Sequence, residues 1–191
     1  MRYHSGLDVV SKSFDMPRVF PINYNKALYK TNIHFWKKDF SGLMFFKKNK
    51  EDKETRVVFM SELGLKYFDF KLTDAGVFSV EYILDELNKE SLILVLEKDI
   101  RILLQNGNNR EHVKFFRTSN EGEYVERSKT KRKRYYYFFN KDNQSVTHID
   151  YTGSVFKKIK IDIVNNKDLM PENINIKHLG IRLRLTLRLI K

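Results

Sequence analysis

The chain has 191 residues, 41% of them hydrophobic and 14% aromatic, which is enough for one sizeable domain (1–191) with a core of its own. Lys and Arg number 36 against 24 Asp and Glu, a formal charge of +12, and the absence of cysteine excludes disulfides, thiol catalysis and Cys-ligated metal. No segment reaches transmembrane length, and Met1-Arg-Tyr-His-Ser lacks a signal-peptide apolar region, so taken literally the sequence reads as cytoplasmic.

Residues 1–28 read as an irregular N-terminal segment, where Pro17 and Pro21 argue against a central strand. A first strand block spans 29–76. Ile33 to Trp36 leads through a turn at Lys37-Lys-Asp39 into Phe40 to Phe46. Thr55 to Met60 shows no alternation, which predicts burial on both faces. Leu65 to Leu72 alternates, with Phe68, Phe70 and Leu72 on one face and Tyr67, Asp69 and Lys71 on the other. Thr73-Asp-Ala-Gly76 is a turn.

A helical insertion is predicted over 80–104. Val80, Ile83, Leu84 and Leu87 follow the i, i+3, i+4, i+7 rule. Asn88 and Ser91 interrupt, each able to cap a new start. Leu92, Ile93, Leu96, Ile100, Leu103 and Leu104 then share one side, Leu94 falls on the polar side, and Asn106-Gly107 is a stop.

A second strand block spans 111–190. Strands are predicted over His112 to Thr118, Glu123 to Ser128, Lys133 to Phe139, Ser145 to Tyr151 and Val155 to Val164, with Pro171 preceding Ile174-Asn-Ile176. In the last run Ile181, Leu183, Leu185, Leu187 and Leu189 face one way; Arg182, Arg184, Thr186 and Arg188 face the other. Short turns favour antiparallel neighbours. The predicted fold class is α+β: a strongly curved antiparallel sheet, or half-barrel, wrapped around a mid-chain helical insertion.

The charge is uneven. From Arg127 to Lys191 there are 16 Lys and Arg and 5 Asp and Glu. Such a third can face nucleic acid, anionic lipid or an acidic partner, or serve solubility alone. Its densest part, Arg127 to Arg134, runs straight into Tyr135-Tyr-Tyr-Phe-Phe139, so phosphate-neutralising groups stand beside stacking groups. Lys131, Arg132, Lys133 and Arg134 are the candidate patch for an anionic partner. The alternative is a basic hairpin tip, with Tyr135, Tyr137 and Phe139 on one side of a strand and Tyr136 and Phe138 on the other. His4, His34, His112, His148 and His178 are scattered, none at metal-ligand spacing, and no P-loop, nucleophile-elbow or zincin motif occurs. No metal, no cofactor and no catalytic residue is expected.

Phe40-Ser-Gly-Leu-Met-Phe-Phe-Lys-Lys48, Thr55-Arg-Val-Val-Phe-Met-Ser-Glu-Leu-Gly64 and Lys66-Tyr-Phe-Asp-Phe70, in the order strands, helical insertion, strands, resemble the LolA/LolB-like lipoprotein-carrier half-barrels. The resemblance runs from about residue 29 to the C-terminus. It implies an incomplete barrel around lid-like helices whose concave face receives acyl chains. It also implies a place at the outer membrane, facing the periplasm, if a signal peptide and a lipidated Cys precede this sequence. No apolar loop of the kind the membrane-anchored receptor inserts into lipid stands out, Glu62-Leu-Gly-Leu65 being the nearest.

The resulting expectation is a non-enzymatic, monomeric protein of the bacterial envelope that binds a lipid or acyl chain. Its lining would be Phe68, Phe70, Leu72, Leu84, Leu92, Leu96, Ile100, Leu103, Leu183, Leu185 and Leu187. A nucleic-acid or acidic-partner module using 127–139 is the second reading. The third is a structural envelope protein with a filled core.

Overall fold

The computed structural model describes residues 8–10, 14–106, 112–130, 133–153 and 158–190. In chain order the strands are β1 (Asp8–Val10), β2 (Lys26–Phe35), β3 (Lys38–Asn49), β4 (Glu54–Met60), β5 (Lys66–Thr73) and β6 (Phe78–Ile83). A 3-10 turn (Asp85–Leu87) and helix α1 (Glu90–Leu104) follow. Then come β7 (Lys114–Arg117), β8 (Glu123–Thr130), β9 (Lys133–Asn140), β10 (Val146–Thr152), β11 (Lys158–Asn165), β12 (Pro171–Leu179) and β13 (Leu183–Leu189). The chain divides into two compact units: Phe20–Asn108 with Leu183–Lys191, and Met1–Val19 with Asn109–Arg182.

The first of these carries α1 and an antiparallel sheet of order β13-β2-β3-β4-β5-β6. Its strands β2 and β3 alternate. Ala27, Tyr29, Thr31 and Ile33 are buried on β2, and Phe40, Gly42, Met44 and Phe46 on β3. Register puts Tyr29, Met44, Phe59 and Phe68 in one cross-strand row and Ala27, Phe46, Val57 and Phe70 in the next. Such rows are the unit of sheet stabilisation, because opposed side chains sit about 5 Å apart. Gly42 is required where it stands: a Cβ there would run into the Met60 carbonyl oxygen.

The second unit has the order β1-β7-β8-β9-β10-β11-β12, with every neighbouring pair antiparallel. Tyr137, Ile149, Ile161 and Ile176 form one buried row across β9 to β12. Pro171 opens β12 at its first residue, where the missing N–H costs no interior ladder bond.

Several expectations are corrected. Val80 to Ile83 is not helix; it lies in β6, with Val80 opposite Phe70 and Ile83 opposite Phe68. A short apolar run fits either period, and the unpaired edge of β5 decides for a strand. The insertion is therefore one α-helix preceded by a single 3-10 turn. Neither Asn88 nor Ser91 caps it: Lys89 occupies the N-cap position without a side-chain hydrogen bond. The helix stops at Gln105, which takes the left-handed conformation and donates its N–H to Arg101 and Ile102 carbonyls; Gly107 lies outside the described residues. Thr55 to Met60 does alternate, with Thr55, Val57 and Phe59 inward and Arg56 exposed. The β2–β3 turn sits at Trp36-Lys37, one residue earlier than expected. Ile181 precedes β13 and is exposed.

Candidate apolar site and a basic face

In the α1-bearing unit, one face of the sheet is predominantly apolar, with Thr31 and Thr55 its buried hydroxyls. Phe68, Phe70 and Leu72 of β5 and Leu183, Leu185 and Leu187 of β13 are all buried. Phe68 and Phe70 stack at 4.4 Å between ring centroids, Phe59 lies 5.4 Å from Phe68, and Tyr29 meets Phe46 edge-on at 5.8 Å. Burial pushes the Tyr29 phenol well above its ordinary range, so it sits in this face uncharged.

Helix α1 turns Leu92, Leu96, Ile100 and Leu103 inward, as their spacing requires. Leu94 is 54% exposed on the opposite side, among Glu97, Lys98 and Arg101. Ile102 and Asp99 are also buried. Asp99 lies in the middle of the helix's apolar stripe. Leu84 is not on a helix at all. It is half-buried in extended backbone between β6 and the 3-10 turn. At its far end α1 is fastened to the β5–β6 turn. Arg101 Nη2 donates to the Gly76 carbonyl at 2.9 Å, and Asn106 Nδ2 to that of Thr73 at 2.7 Å. Ahead of its start, an exposed Lys38–Glu86 bond at 2.7 Å ties the 3-10 turn to β3.

The other face of this sheet is wet but holds one buried carboxylate. Asp69, 1% exposed, accepts from Arg56 Nε and Nη2 at 2.7 Å each and from Lys66 Nζ at 2.9 Å. The β4–β5 turn carries an apolar tip that the sequence reading discounted: Leu63 is 99% exposed, and Leu65 beside it is exposed too. Trp36 in the β2–β3 turn, at the same end of the strands, is likewise exposed.

In the other unit the basic–aromatic stretch forms β8 and β9. Lys131 and Arg132 lie outside the described residues; Lys133 and Arg134 are exposed. Tyr135, Tyr137 and Phe139 point to the buried face, where Tyr135 packs on Tyr151 at 4.9 Å. Burial pushes the Tyr151 phenol up to about 12. Tyr136 is buried on the opposite face and Phe138 half-buried beside it, packed with Phe116 and Val125. The five aromatics are therefore core and not an open stacking platform, which removes the stacking half of the nucleic-acid reading. His148 Nδ1 lies 2.7 Å from Asp162 and its Nε2 lies 3.3 Å from Asp150. Among the described residues no group of three or more His, Asp and Glu is placed to hold a metal ion. None of the described helices is long and apolar enough to cross a membrane.

No protein-family profile matches the chain, and no curated protein matches it. Among solved structures it is similar to a LolA superfamily protein from Nitrosomonas europaea. The TM-score is 0.53 at 9% identity, over 91% of this chain and 87% of that one. That likeness shows the fold: α+β, an antiparallel half-barrel of the LolA-like kind with its helix inserted mid-chain.

Proposed function

We propose that the protein is a non-enzymatic carrier of an apolar or lipidic ligand at the bacterial envelope. The observation that carries this reading is the LolA-like fold together with two buried apolar surfaces in one unit. One is the β5 and β13 face of Phe68, Phe70, Leu72, Leu183, Leu185 and Leu187. The other is the α1 stripe of Leu92, Leu96, Ile100 and Leu103, with Leu84 at its approach. An acyl chain between them exchanges one apolar environment for another, so what it gains is the area it removes from water, about 25 cal/mol per Å².

Ring contacts within the sheet already fill part of that space, so entry requires α1 to move. The helix has no side-chain cap at Lys89 and is held by Arg101 and Asn106 at its other end. It opens as a lid hinged on the Asn88–Ser91 stretch. The exposed Leu63, Leu65 and Trp36 lie at one end of the same strands and suit contact with lipid during loading.

The test is titration of the purified protein with an environment-sensitive acyl probe. Saturable uptake is expected, displaced by free fatty acid and faster in Arg101→Ala/Asn106→Ala. A protein that takes up no probe, with the double variant no different, contradicts the reading.

A further inference from the structure

We propose that the groove formed by β7, β8 and β9 is a binding site for a phosphate group. It encloses about 420 Å³ and is lined, among the described residues, by His112, Lys114, Arg127, Lys129, Arg134 and Tyr136, none of them a carboxylate. The site lies wholly within the unit of residues 109–182 and does not depend on the apolar-ligand reading.

Strand register concentrates the charge. Lys114 stands directly opposite Arg127, and Lys129 directly opposite Arg134. Arg127 and Lys129 are two apart on β8, so the two like-charge pairs are adjacent rows of one face. Directly opposed like charges destabilise a strand pair. Two such rows side by side are a standing repulsion that an anion between them relieves. In the other unit, by contrast, Arg56 and Lys66 are answered by the Asp69 carboxylate. Among the described residues Lys114, Arg127, Lys129 and Arg134 have no ion pair. Asp150, the register partner of Tyr136, is engaged by His148.

The floor is preorganised. Tyr136 is 8% exposed in the cluster with Phe116 and Val125. Arg127 lies over the Phe116 ring at 4.8 Å, which fixes the plane of its guanidinium. A guanidinium held flat offers a two-pronged edge that matches phosphate oxygens, and flanking lysines add point charges. Phosphate monoesters and diesters share this chemistry. The two sources are a soluble phosphate-bearing molecule and the headgroup of an anionic phospholipid.

The test uses the full chain and inorganic pyrophosphate, by calorimetry at low ionic strength. One saturable site is expected, weakened at least about tenfold by Lys129→Glu or Arg134→Gln. Arg188→Glu, on the separate basic strand β13, is expected to leave it unchanged. Lys129→Glu has a second signature: it replaces a repulsive pair with an attractive one, so thermal stability rises while binding falls. Vesicles of phosphatidylglycerol, with phosphatidylcholine as control, distinguish the sources. Sedimentation with the former, reversed by pyrophosphate, identifies a headgroup; pyrophosphate binding without sedimentation identifies a soluble ligand. Absence of saturable pyrophosphate binding overturns the proposal, as does equal weakening by Arg188→Glu. Either result leaves acyl-probe uptake untouched.

Discussion

Arg56 holds the buried Asp69 carboxylate with a two-pronged guanidinium, both N–O distances being 2.7 Å. They are diagonal neighbours on β4 and β5, on the face turned away from Phe68 and Phe70. Burial pushes the Asp69 carboxyl up; hydrogen bonds and charge from Arg56 and Lys66 outweigh it and hold it below the usual carboxylate range. A depressed carboxylate contributes stability that is present above its unfolded pKa and lost as pH falls through its folded pKa. Asp69→Asn is expected to cost about 1–3 kcal/mol at neutral pH, by leaving charged donors without their acceptor. In urea unfolding the gap to the parent should narrow below pH 4, the ordinary range of an unfolded Asp. A gap that stays constant into acid contradicts this role.

His148 gives the opposite sign. Burial lowers its pKa, but the Asp150 and Asp162 carboxylates beside it outweigh burial and raise it above the ordinary value. A raised histidine contributes stability that is full below its unfolded pKa, about 6.5, and is lost as pH rises through the folded one. Proton NMR of the ring should show a midpoint above that of an exposed histidine. His148→Gln should be most destabilising at pH 5–6 and nearly neutral at pH 9. A ring that titrates at or below the ordinary value refutes the clamp.

Gly42 is a packing requirement and not a turn. Gly42→Ala must displace Met60 backbone, since the clash is with a carbonyl. The expected cost is about 1–3 kcal/mol in thermal or urea unfolding, the range of overpacked cores. Unchanged stability would show that the β3–β4 ladder is looser than this register.

The two sides of α1 should separate cleanly. Leu94→Ala is expected to change stability by less than about 0.5 kcal/mol, as at other exposed sites. Ile102→Ala should cost about 2–5 kcal/mol, as buried truncations do. Similar values for the two would mean that the helix is rotated from the position described.

Alternation made β5 and β13 legible from residues alone. Phe68, Phe70 and Leu72, and Leu183, Leu185 and Leu187, are inward because a period of two leaves them no other face. The amphipathic stripe of α1 was legible for the same kind of reason, including the outlying Leu94. What misled was local ambiguity. Val80 to Ile83 satisfies helical spacing, and only the neighbouring edge of β5, a tertiary fact, makes it a strand. The burial of Asp69 and Asp99 was not legible, because a carboxylate on a charged strand or helix is ordinarily solvated. For Asp69 the partners lie on a neighbouring strand and three residues away. The basic groove was half legible. The charge run announced cations, but the opposed pairs Lys114–Arg127 and Lys129–Arg134 exist only in the register.

The central claim is that the apolar surfaces of β5, β13 and α1 receive a lipidic ligand. Organic extraction of the natively purified protein, followed by mass spectrometry and quantified against protein, tests it most directly. A defined acyl-bearing species at near-stoichiometric amount is expected, reduced by Leu96→Glu in protein that keeps its far-ultraviolet circular dichroism. Extracts with no acyl species above those of an unrelated protein, from parent and variant alike, would contradict it and leave a filled core as the function of those side chains.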